Sequence, residues 1–113
     1  MKLCDLIETL SLEVKTPGTD LTREVTGGYV SDMLSDVIAN AEAGSVWVTF
    51  QSHLNIVAVA SLQGLTGIIL VKNRVPAEDT LKKASAENVP VMTSSLAAFE
   101  LVGRLYTLGL RCR

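Results

Sequence analysis

The residues of this chain that could do chemistry fall mostly into four short polar stretches. His53, the sole histidine, lies in Gln51-Ser52-His53-Leu54-Asn55, and Lys72-Asn73-Arg74 carries two cations. Thr26-Gly27-Gly28 and Thr93-Ser94-Ser95 add hydroxyls and pliable backbone. An imidazole, an ammonium and a guanidinium beside hydroxyl and backbone N–H donors suit a phosphate or a carboxylate. The same residue types also serve as plain turn and capping residues on solvated loops. Catalysis finds less support. Ser52 directly precedes His53, but a nucleophile and its base are matched by spatial geometry, not by adjacency in the chain. A single histidine excludes a multi-histidine metal site, and no H-E-x-x-H run or carboxylate cluster replaces it. Cys4 and Cys112 stand at opposite ends of the chain without C-x-x-C spacing, so they read as two reduced thiols, not as a redox pair or iron–sulfur ligands. G-x-G-x-x-G and G-x-x-x-x-G-K-[ST] are both absent. No catalytic residue, metal or cofactor is expected. Asp32 and Asp36, four apart, read as a solvated helix face near a positive helix end.

Hydrophobic spacing predicts the elements that would carry these stretches. Leu3, Leu6, Ile7 and Leu10 form the stripe of an amphipathic helix that caps the sheet. Leu12 and Val14 alternate as a strand before the turn at residues 16–20, and a second strand is predicted over Arg23–Thr26, broken by Gly27-Gly28. A helix with Ser31 as N-cap runs to Gly44. Ser45–Phe50 and Thr66–Val71 read as buried parallel strands. Between them Asn55–Gly64 must be helical, because a parallel return needs a crossover. Pro76 is placed at the first position of a helix that stops before Val89-Pro90, and Pro90–Thr93 forms a short last strand. The predicted fold is α/β: one small domain over residues 1–113, with a mostly parallel sheet of about five strands and helices packed on its faces. In such a sheet the four polar stretches share the carboxyl edge. The candidate ligand-binding residues are therefore Thr26, Gly27, Gly28, Gln51, Ser52, His53, Asn55, Lys72, Arg74, Ser94 and Ser95.

Composition bounds the partners. The chain is 48% apolar, 19% charged and 4% aromatic, so its core must be aliphatic. Ten Lys and Arg against twelve Asp and Glu leave a net charge of −2, without the basic footprint of a nucleic-acid binder. Apolar runs stay far below the ~18 residues of a membrane span, so a cytoplasmic protein without a membrane partner is expected. The final predicted helix, Leu96–Leu108, is apolar nearly all round, more than one sheet face can cover. A homodimer interface through Phe99, Val102, Leu105 and Tyr106 follows, with Leu101, Leu105 and Leu108 on the sheet side or the two faces exchanged. A helix wedged between the sheet and the first helix would also use the surplus.

The run from Gly27 to Val37, GGYVSDMLSDV, followed by the run from Val46 to Ala60, VWVTFQSHLNIVAVA, resembles a stand-alone subgroup of the DRTGG-domain family. The likeness covers roughly residues 12–108. It implies an α/β regulatory domain, of the kind also inserted in phosphotransacetylases and CBS-domain pyrophosphatases, and related in fold to the N-terminal domain of HPr kinase/phosphorylase. The subgroup is one encoded beside iron-only hydrogenase and NADH-dehydrogenase-like subunits in anaerobic bacteria, which implies a redox-enzyme subunit as partner. Where the family has Asp-Arg after one strand and Thr-Gly-Gly after the next, this chain has Ser52-His53 and Val71-Lys72-Asn73. The resemblance thus implies a non-catalytic regulatory or docking module; the alternative, from the polar loops, is a small-molecule or nucleotide sensor binding an anionic ligand at the carboxyl edge of the sheet.

Overall fold

A computed structural model describes residues 1–112. In chain order they form α1 (Leu3–Leu10), β1 (Glu13–Val14), β2 (Gly27–Val30), α2 (Leu34–Asn40), β3 (Ser45–Thr49), α3 (Asn55–Gln63), β4 (Gly67–Leu70), α4 (Glu78–Ala86), β5 (Val91–Thr93) and α5 (Ala98–Thr107). The strands make one sheet in the order β1-β5-β4-β3-β2, parallel throughout except where β1 meets β5. The α/β class and the mostly parallel sheet are as expected.

Alternation along the strands sorts two cores. Val46, Val48, Ile69, Val71 and Met92 face Leu3 and Leu6 of α1 and Leu101 and Leu105 of α5. Trp47, Ile68, Leu70 and Val91 face α2, α3 and α4, which contribute Val37, Ile56, Val57, Ala60 and Ala84. Every residue of β3 and β4 is buried, which is why these interior strands read as unbroken apolar runs. Each fully buried Ile or Leu among them contributes roughly 1.5–3 kcal/mol. The crossover from β3 to β4 is the helix α3, although Ile56–Ala60 has the propensity of a strand, and Gly64 ends it at a φ of 66°.

Several boundaries differ from expectation, each for a tertiary reason. Residues 23–26 contribute only an isolated bridge between Lys2 and Glu24, while Gly27-Gly28 lies inside β2 instead of breaking it. This is an edge strand, and glycine is tolerated where another backbone approaches closely: the Gly28 N–H donates to the Arg111 carbonyl at 3.1 Å. Met33, not Ser31, is the N-cap of α2, because the Ser31 hydroxyl closes a turn by accepting the Met33 N–H at 3.1 Å. That helix ends at Asn40, and Gly44 serves the turn into β3, where an added Cβ would strike the Thr26 side chain. Pro76 precedes Ala77, the N-cap of α4, and so stands outside the helix. Helix α5 starts at Ala98, since Leu96 donates its N–H to the Ser94 hydroxyl and accepts the Lys72 N–H at its carbonyl.

Candidate functional site

Four loops leave the carboxyl ends of the parallel strands, and hydrogen bonds lock them to one another. After β2, one Asp32 carboxylate oxygen accepts the Thr49 hydroxyl and the Phe50 N–H, both at 2.8 Å, tying this loop to the one after β3. The Gln51 side chain donates back to the Asp32 carbonyl at 3.1 Å. The buried Ser52 uses its carbonyl, which accepts the Thr80 hydroxyl at 2.9 Å and so holds the start of α4. After β4, Lys72 and Asn73 adopt left-handed φ values of 53° and 52°. Their N–H groups donate to the carbonyls of Leu96 and Ser94 at 2.9 and 2.7 Å, joining this loop to the one after β5. Glycine suits that region best, yet lysine and asparagine occupy it here.

Two cations and uncapped helix starts stand at this edge, together with Asp32 and the first-turn carboxylates Asp36, Glu78, Asp79 and Glu100. Arg74 lies with its guanidinium 4.5 Å from the Phe50 ring centroid, the range of a cation–π contact. Neither Arg74 nor Lys72 has an acidic partner among the described residues. Asp32, Phe50, Gln51 and Arg74 line a shallow cavity of about 240 Å³. Helices α2, α3, α4 and α5 all begin at this edge, with Met33, Leu54, Ala77 and Ala97 as N-caps and no side-chain cap hydrogen bond on any of them. Chemically, such an edge offers backbone N–H donors and fixed positive charge to an anion.

Of the candidate residues, Gln51, Ser52, His53, Asn55, Lys72, Arg74, Ser94 and Ser95 come together here. Thr26, Gly27 and Gly28 do not: they stand at the amino end of β2, on the opposite edge, because the strand runs through the glycines and not up to them. His53, Asn55 and Ser95 are exposed, whereas Ser94 is buried and spends its hydroxyl on the Leu96 N–H. Asp32 and Phe50 were missed. Asp32 is no helix-face carboxylate, and only the correct end of β2 reveals that it follows a strand directly. Asp36 has a separate task. Its carboxylate accepts the Tyr29 hydroxyl and the Asn40 amide, both at 2.8 Å, and the Tyr29 bond holds its pKa below the ordinary carboxylate value while the same bond raises that of Tyr29. No group of three or more His, Cys, Asp or Glu among the described residues is placed to hold a metal ion.

A second surface lies along α5. Leu101 and Leu105 are buried against the sheet, so Leu105 belongs to the core and not to an outward interface. Phe99 is 93% exposed and Tyr106 58%, and Val30 of the edge strand beside them is also exposed. Between β2 and α5 is a slot of about 280 Å³ with Gly28, Val48, Val102 and Leu105 in its lining. Arg111 borders it, stacking on the Tyr106 ring at 3.6 Å and donating to the Tyr106 carbonyl at 2.8 Å.

The chain is similar to the CBS and DRTGG domains of the regulatory region of Clostridium perfringens pyrophosphatase, a structure complexed with the activator diadenosine tetraphosphate. The TM-score is 0.71 at 17% identity, over 98% of this chain and 48% of the other. The likeness establishes a DRTGG/CBS-like fold. This chain spans about half the length of that structure. No family model matches the chain, and no curated protein matches it. No helix of the described residues is long and apolar enough to cross a membrane.

Proposed function

We propose that this chain is a non-catalytic regulatory or docking module that acts as a homodimer in the cytoplasm. The observation that carries the reading is the outward side of α5, where Phe99, Val102 and Tyr106 form an apolar stripe beside the exposed Val30. Soluble monomers seldom tolerate such a patch, and a small domain has little other surface with which to hide it. The pyrophosphatase fold is a regulatory region, which supports a module that responds or docks in preference to one that catalyses. The redox-enzyme setting, a hydrogenase or an NADH-dehydrogenase-like subunit as partner, rests on the sequence resemblance and is read by binding to purified subunits of that kind. Light scattering coupled to gel filtration tests the dimer. The unmodified chain should run at twice its monomer mass, and Val102→Glu, which sets two carboxylates near the two-fold axis, should halve it. A monomer mass for the unmodified chain at micromolar concentration refutes the reading.

A second reading, a sensor of an anionic small molecule, is favoured by one feature: Lys72 and Arg74, without acidic partners, stand beside uncapped helix starts. The pyrophosphatase region was solved with a polyphosphate activator, and an anion of that chemistry suits this edge.

A further inference from the structure

We propose that Phe99 of one copy inserts into the slot between β2 and α5 of a second copy, so that each half of a two-fold dimer is both knob and hole. The inference rests on the dimer reading and names its central contact. Phe99 and the slot are two features that the single chain leaves without an occupant or a cover. Phe99, Val102 and Tyr106 follow i, i+3, i+7 spacing, so the exposed ring stands on the same side of α5 as the slot wall. The slot is open because Gly28 brings no side chain to fill it, and its lining is mostly apolar, with Val48 and Leu105 buried beneath. An apolar cavity of only ~150 Å³ admits benzene, so about 280 Å³ has room for a benzyl group.

A second copy fits better than an unrelated partner for two reasons. An isologous interface requires knob and hole to lie on one patch, as they do here. The patch is also framed by charges of both signs, Glu100 and Arg111, neither of which has an ionic partner among the described residues. A second copy carries both signs by construction, so a two-fold axis can set Glu100 of one chain against an arginine of the other.

The test uses the full chain labelled with fluorophenylalanine. Its two phenylalanines give two ¹⁹F resonances, assigned with Phe50→Leu. In the dimer the Phe99 resonance should show no solvent isotope shift. Phe99→Ala, which removes the knob, and Gly28→Leu, which fills the hole, should each raise the dissociation constant by roughly 30-fold or more, as a central aromatic anchor does. Gly28→Leu should fold, since a Cβ there meets nothing closer than a Val46 methyl at 3.9 Å. A dimer whose Phe99 resonance is solvent-exposed, or a Gly28→Leu chain that dimerises as tightly as the unmodified one, overturns the contact and leaves the dimer standing. A monomeric unmodified chain overturns both. Should Gly28→Leu fail to fold, the resonance of the unmodified dimer still decides.

Discussion

Replacing Asp32 with alanine should weaken the fold by an amount that follows from two hydrogen bonds. The Asp32 carboxylate accepts from the Thr49 hydroxyl and the Phe50 N–H at 2.8 Å each, and it links the exits of β2 and β3. A hydrogen bond to a charged group contributes about 1.5–3 kcal/mol. The two losses are not equal. Phe50 is exposed, so water can take up its N–H once the carboxylate is gone. Thr49 is 1% exposed and its hydroxyl has poor access to water, so most of one full bond is lost there. Together these give about 2–3 kcal/mol, a large share of the 5–15 kcal/mol of a typical domain, and a fall in Tm of roughly 10 °C. Asp32→Asn retains an acceptor oxygen and should lose less than about 1 kcal/mol. Urea unfolding reads the difference through the sole tryptophan, Trp47, which is buried in β3 and donates its indole N–H to the Ser31 carbonyl at 2.8 Å. The m-value should not change. An alanine variant within about 0.5 kcal/mol of the unmodified chain, less than one net hydrogen bond, would refute the clamp.

Two further outcomes are expected. If the carboxyl edge takes an anion, tripolyphosphate at about a hundred times its Kd should stabilise the chain by about 2.7 kcal/mol, and Lys72→Gln with Arg74→Gln should abolish that gain without lowering the ligand-free Tm; a gain that persists in the double variant moves the anion site elsewhere. The Tyr29–Asp36 bond depresses the Asp36 pKa and raises that of Tyr29, so its stabilisation is present above the unfolded carboxyl value, near 4, and fades as pH falls through the lower folded value; it fades again as pH rises past about 10, where Tyr29 begins to ionise. The stability gap between the unmodified chain and Asp36→Ala should therefore shrink as pH falls below about 4, and a gap that stays constant from pH 7 down to about 2 would contradict the assignment.

What the sequence determined by itself is the layered α/β fold and the interior of the sheet. Residues 46–48 and 68–71 announce buried strands because both of their faces are covered, and the need to return in parallel makes residues 55–63 a helix against the propensity of Ile56–Ala60. The surplus of apolar residues on α5 was equally legible, as periodicity is a local property of the chain. Which residues of α5 turn outward was not, and neither was the strand character of Gly27-Gly28, the cap of α2 or the task of Asp32. Each of these depends on a group remote in sequence. Gly28 is held by Arg111, the Asp32 carboxylate by Thr49 and Phe50, and Leu105 by the face of the sheet. Glycine in a strand and an aspartate at a helix start have ordinary local meanings, and only the approach of a distant backbone or hydroxyl selects the other one. Misplacing the end of one edge strand moved Thr26-Gly27-Gly28 to the wrong side of the sheet, since the edge a loop occupies is set by where its strand stops.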